Sequence, residues 1–105
     1  MDKKNIKANV NDVYKTIYTA VHPTRLRILT RLESKKSFAS QLEKMMKIDR
    51  KIISFHLSKL EESGLVTSEY GLKTYSKTRP MAVRYYSLTT KGEEVTKKLK
   101  SVLSV

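Results

Sequence analysis

The chain has no cysteine, so disulfides and thiolate metal sites are excluded and nothing points to an oxidising compartment. Histidine occurs only twice, at His22 and His56, and neither stands at a metal-ligand spacing from a carboxylate. Glycine is scarce, with three in the whole chain, and there is neither a phosphate-cradling glycine loop nor a serine in a glycine-rich elbow. The pairs Glu61-Glu62 and Glu93-Glu94 fall near helix ends, where capping and solubility explain them. The chain therefore does not read as an enzyme, and no cofactor and no metal are expected. Long apolar runs and a signal-like start are also missing, so a soluble cytoplasmic protein is expected.

Acidic residues are the other scarcity. Ten Asp plus Glu face 22 Lys plus Arg, for a net charge of +12, and so strong an excess in 105 residues points to a polyanionic partner, nucleic acid first. The competing reading is a solvated basic surface on a protein with another task. The length suits a single domain over residues 1–105, with no internal repeat and no low-complexity segment.

What is present centres on Ser37 to Val66, which reads as two short helices joined by a tight turn. Leu42, Met45 and Met46 form the buried side of the first helix, and Ile48 plugs the turn. In the second helix Ile53, Leu57 and Leu60 make one apolar stripe. The opposite face carries Arg50, Lys51, Ser54, Phe55 and Ser58, with Lys59 at its margin, a set able to meet phosphates, base edges and a thymine methyl. Asp49 suits the N-cap and Gly64 the left-handed C-terminal cap.

The spacing of Val10, Val13, Tyr14, Ile17, Tyr18 and Val21 predicts a first helix over roughly residues 9–21, after a polar, fraying start. Pro23 opens a second helix, to about Glu33, and a polar connection runs from there to Ser37. Beyond Gly64 the pattern alternates. Leu65 to Tyr70 and Val83 to Thr89 read as antiparallel strands around a long hairpin loop, so a wing is expected over about residues 65–89. No acidic residue occurs from Tyr70 to Gly92, whereas Lys73, Lys77, Arg79, Arg84 and Lys91 are basic. A last helix over about residues 90–103 follows a capping box of Thr90 with Glu93, and its apolar stripe is Val95, Leu99, Val102 and Leu103.

The segments His22-Pro23-Thr24-Arg25-Leu26-Arg27-Ile28-Leu29, Ser54-Phe55-His56-Leu57, Leu60, Gly64-Leu65-Val66 and Tyr85-Tyr86-Ser87-Leu88-Thr89 stand in the order found in the ArsR-like group of bacterial and archaeal repressors. Over residues 22–92 the chain resembles those winged helix-turn-helix regulators, and Leu88-Thr89-Thr90-Lys91-Gly92 is also similar to MarR- and PadR-type winged helices. The resemblance implies a mainly α fold with a small β-hairpin, and a sequence-specific regulator of transcription bound to double-stranded DNA. The recognition helix (Asp49, Arg50, Lys51, Ser54, Phe55, Ser58, Lys59) would enter the major groove, with the wing (Lys73, Lys77, Arg79, Arg84) on the flanking backbone or minor groove. Two departures stand out: Glu43 occupies a position that usually holds a small residue, and Lys47 occupies the glycine position of the turn, which implies a wider turn.

Three readings stay open. His56 is expected to be a packed histidine bonded to nearby backbone rather than a ligand or a proton switch, and Met45 and Met46 to be core rather than an effector pocket. Phe55 suits a thymine methyl, or packing against the wing or a neighbouring helix. The terminal helices, through Val10, Val13, Tyr14, Ile17, Tyr18, Val95, Leu99, Val102 and Leu103, offer more apolar surface than so small a domain covers, so a homodimer is expected. The alternative function is a winged-helix module that holds protein or RNA within transcription or translation machinery.

Overall fold

The computed structural model describes residues 3–74 and 79–103, with side chains from Asn11 onward. Among these residues the order is α1 (Lys3–Ala20), α2 (Pro23–Ser34), β1 (Ser37–Phe38), α3 (Ala39–Met46), α4 (Arg50–Glu62), β2 (Val66–Lys73), β3 (Met81–Leu88) and α5 (Thr90–Leu103). The first helix starts at Lys3, within the polar segment expected to fray. Helix α2 begins at Pro23, whose missing N–H has no role in a first turn. The His22 side chain caps it, with Nδ1 accepting from the Thr24 N–H at 3.2 Å.

The core is one cluster. Ile28, Leu29 and Leu32 of α2, Leu42 and Met46 of α3, and Ile53, Leu57 and Leu60 of α4 pack together with Ala20, Leu65 and Val66. Each fully buried leucine or isoleucine contributes about 1.5–3 kcal/mol through the surface it removes from water. Met46 belongs to this core, but Met45 is exposed, because one residue further round an eight-residue helix points away from α4.

The expected hairpin is part of a three-stranded sheet in the order β1-β3-β2. Ser37 pairs with Tyr86 and Phe38 with Tyr85, so the end of the supposed polar connection is a short strand. Two residues give no alternation to read, and the pairing is decided by the Phe38 ring meeting Tyr85 edge-on at 5.5 Å. Strands β2 and β3 stay in register from Val66 opposite Leu88 to Lys73 opposite Met81. They therefore run further than expected into the loop between them.

Lys47 is left-handed (φ 56°, ψ 43°) and its N–H donates to Glu43 O at 2.8 Å. The turn is therefore tight, and the wider turn implied by a lysine at this position does not occur. The strain is met by Glu43, whose Oε2 accepts from the Arg50 N–H at 3.0 Å while Oε1 accepts from Arg50 Nε at 3.3 Å. That clamp ties α3 to the first turn of α4.

At the far end of α4, Gly64 is left-handed (φ 78°). Helix α5 is capped by Thr89 and not by the expected Thr90: its Oγ1 accepts from the Gly92 N–H at 2.9 Å and its carbonyl from the Glu93 N–H at 2.9 Å. The Thr89 hydroxyl also donates to Gly64 O at 2.6 Å. Gly92 is buried, and a Cβ there would overlap the carbonyl oxygen of Leu65.

Two substitutions test these points by urea unfolding. Gly92→Ala forces backbone apart and should lower stability by about 3 kcal/mol. Lys47→Gly relieves the left-handed strain and should raise it by about 0.5–1 kcal/mol, since glycine's greater freedom in the unfolded chain offsets part of the gain.

Candidate nucleic-acid interface

Helix α4 is held by one face. Ile53, Leu57 and Leu60 have no exposed surface, and at 3.6 residues per turn this leaves Lys51, Ser54, Phe55 and Ser58 facing outward; all four are exposed. Asp49 sits outside the helix as its N-cap, with Oδ1 accepting from the Lys51 N–H at 3.0 Å. Its carboxylate answers backbone and the positive end of the helix dipole. Arg50 opens the exposed face but is shared with Glu43, as described above.

Ile52 is also exposed and lies three residues before Phe55 on the same side. It was not among the residues expected on this face, although its place just before the Ile53 stripe shows it. Lys59 lies over the Phe55 ring at 5.6 Å and within 3.6 Å of Glu62. Phe55 is exposed, and its ring meets that of His56, 5.4 Å away.

His56 is buried on the inner margin of α4, and its partner is a side chain rather than backbone. Arg25 Nε donates to His56 Nδ1 at 3.0 Å and Arg25 Nη1 reaches Thr19 O at 3.4 Å. The His22 ring lies 4.6 Å away. Burial first, then His22 and Arg25, hold the His56 imidazole below its ordinary range.

The wing residues divide. Arg79 is exposed and Lys73 half-buried; Lys77 lies outside the described residues. Arg84 is not free to reach outward. Its Nη2 meets Glu61 Oε1 at 2.9 Å and its Nε donates to Ser68 Oγ at 2.8 Å, while Ser68 Oγ donates to Glu61 Oε2 at 2.7 Å. Glu43 and Glu61 were not expected as partners of the basic face. The available signal was an acid in a stretch meant for a polyanion, and for Glu61 an acid in the last turn of a helix, where the dipole disfavours it.

The terminal helices divide as well. Val13, Tyr14, Ile17 and Tyr18 are exposed, both tyrosines at 69% and stacked at 6.2 Å, as are Val102 (77%) and Leu103. Val95 and Leu99 instead pack against the core, because Thr96, fully buried, turns that part of the α5 stripe inward. The side chain of Val10 lies outside the described residues. An open apolar groove of about 410 Å³ separates α1 from α5. Among the described residues no three His, Asp or Glu side chains gather as a metal site, and no helix is long and apolar enough to cross a membrane.

A three-residue turn between α3 and α4, an exposed polar and basic face on α4, and a β-hairpin beside it are the architecture of winged helix-turn-helix DNA-binding regulators of transcription. The model of the bacterial regulatory proteins of the arsR family matches residues 22–68, a segment within the span over which the sequence resembles that group. Among solved structures, the transcriptional repressor BigR from Xylella fastidiosa is similar at 24% identity, over 96% of this chain and 92% of its own, with a TM-score of 0.72. A possible transcriptional regulator for arsenical resistance is 27% identical over 87% of this chain and 85% of its own, with a TM-score of 0.61. The homodimeric winged helix-turn-helix DNA-binding domain of Mb0332 from Mycobacterium bovis shares 15% identity over 99% and 88% of the two chains, with a TM-score of 0.76. No curated protein sequence matches the chain. These similarities are to regulators, not enzymes.

The position of His56 gives a pH prediction. Because the fold lowers its pKa, the unfolded chain binds more protons in the range where the two states differ. The contribution to stability is therefore complete above about pH 6.5 and is lost as pH falls through the folded value. Urea unfolding between about pH 7.5 and 5 should show falling stability, and His56→Gln, which can still accept from Arg25, should flatten that fall.

Proposed function

We propose that the protein is a sequence-specific regulator of transcription that binds double-stranded DNA as a homodimer. The observation that carries this is the exposed face of α4, where Lys51, Ser54, Phe55 and Ser58 stand clear of the core on a chain of net charge +12. Such a helix fits the major groove. Lysine and serine meet phosphate and base-edge acceptors, and Phe55 with Ile52 offers apolar contact to thymine methyl groups. Arg79, Lys73 and Lys77 on the wing serve the flanking backbone or minor groove. Its place of action is the cytoplasm, where the DNA it regulates lies.

Pairing rests on Val13, Tyr14, Ile17, Tyr18, Val102 and Leu103, an apolar surface that the domain leaves uncovered and that a second copy covers by symmetry. The homodimeric state named for the Mb0332 domain supports this reading. A two-fold pair presents its recognition helices about 34–36 Å apart, one turn of the duplex, so the operator is an inverted repeat.

Selection of bound fragments from genomic DNA tests the function: an inverted-repeat sequence should emerge, and equal binding to RNA and random duplex would overturn it. On the selected site Lys51→Ala should cost about 1–3 kcal/mol and relax selectivity, while Lys73→Ala should weaken all sequences and flatten the salt slope by about one unit. Light scattering tests the pairing, since Ile17→Glu should leave a monomer that binds the repeat weakly.

A further inference from the structure

Outside its base, the wing has little to hold it. Val66 lies in the core, and Tyr86 and Leu88 pack on it, but Tyr70 and Leu72 on the same face of β2 are each 74% exposed. Among the described residues, beside the Phe38–Tyr85 contact, two groups of charged side chains brace the hairpin. On one face Lys36 reaches Glu69 at 3.8 Å and lies over the Tyr85 ring at 5.1 Å. On the face turned to α4, Arg84 is stacked on Tyr86 at 5.3 Å and bonded to both Glu61 and Ser68.

The second group is unusual in its chemistry. Glu61 puts a carboxylate in the last turn of the recognition helix, against the helix dipole and close to where phosphates would lie. Arg84 is the basic wing residue that cancels it. Arg84 faces Tyr70 across the ladder while Ser68 faces Tyr86, so the guanidinium reaches diagonally across β2 to the helix. It meets two fixed oxygens through two different nitrogens. A planar guanidinium bonded at two points fixes a direction, which a single charge does not.

We propose that Arg84 and Glu61, joined through Ser68, are positioning residues that set the angle of the wing against the recognition helix, so that both engage one DNA site together. The proposal rests on the DNA-binding reading above. It makes Arg84 a positioning residue rather than a phosphate contact, and Glu61 a residue whose removal harms binding although it removes negative charge.

The charge arithmetic separates the two roles. Titrations of the selected duplex at several salt concentrations would compare the full-length chain with Arg84→Ala, Arg84→Lys, Glu61→Gln and the double variant Arg84→Ala/Glu61→Gln. A positioning role predicts a loss of about 3- to 10-fold for each single variant, the size expected when a coupled ion pair is broken. Arg84→Lys should behave like Arg84→Ala, the double variant should be no worse than either single, and the salt slope should stay unchanged for all. Tighter binding by Glu61→Gln, rescue by Arg84→Lys, or a slope reduced by about one unit in Arg84→Ala would overturn it.

A second measurement needs no DNA. Since the chain has no native cysteine, spin labels on Thr74→Cys and Lys44→Cys, diluted with unlabelled chain, report the distance from wing to helix-turn-helix. The distribution should be narrow in the parent and broader in Arg84→Ala. An unchanged distribution refutes the proposal. If the parent selects no duplex while the distribution still broadens, the DNA-binding reading fails and the positioning role stands.

Discussion

The buried stripe of Ile53, Leu57 and Leu60 decides the rest of the molecule. None of the three has any exposed surface, so α4 cannot roll, and a rigid roll angle is what turns a polar and basic helix face into a reading surface. The cost of exposing any of these side chains, about 1.5–3 kcal/mol each, is a large fraction of the stability of a domain this size. Helix α2 supplies the opposing leucines, α3 fixes the entry to α4, and Leu65 with Val66 closes the exit. The elements before and after the helix-turn-helix are, in energetic terms, the walls of that slot.

Around it, electrostatics is arranged by subtraction. The formal charge is strongly positive, yet among the described residues four acids on or beside α4 and the wing take up basic side chains: Glu43 holds Arg50, Glu61 holds Arg84, Glu62 holds Lys59 and Glu69 reaches Lys36. Exposed pairs of this kind contribute little to stability, about 0–1 kcal/mol. Their effect is on direction, because a paired guanidinium points where its carboxylate is. Lys51 has no such partner on this face among the described contacts of α4 and keeps its reach.

Much of this was legible from residues alone where a period or a cap carries the information. The stripe of α4, the Asp49 cap and the left-handed Gly64 each follow from one local rule, and each is found. What was not legible was settled across the fold. The strand at Ser37–Phe38 is too short to have a period and exists because Tyr85 and Tyr86 lie opposite it. Thr89 prevails over Thr90 as the cap because its hydroxyl also reaches Gly64 O, a contact 25 residues away in sequence. Lys47 takes a glycine's conformation because Glu43 binds the next helix. Met45 and Met46 were expected on one side, but the turn of about 100° per residue carries Met45 off the covered face. Arg84 was grouped with the wing cations on charge, and only the position of Glu61 reveals its direction.

One joint has a mechanical consequence. The end of α4, the start of β2, the end of β3 and the start of α5 converge on Gly64, Leu65, Thr89 and Gly92, held by the Thr89 hydroxyl, the Thr89 N–H on Leu65 O at 3.1 Å and the close approach of Gly92 to Leu65. Lys91 adds a reach from α5 to Ser63 O at 3.1 Å. There is no slack residue between the strand and the last helix. Helix α5 therefore leaves the root of the wing in a fixed direction, and Val95, Leu99 and the Lys100–Glu33 ion pair at 2.8 Å moor it along its length to the core and α2, so that its last turn, at Val102 and Leu103, stands clear as a rigid prow.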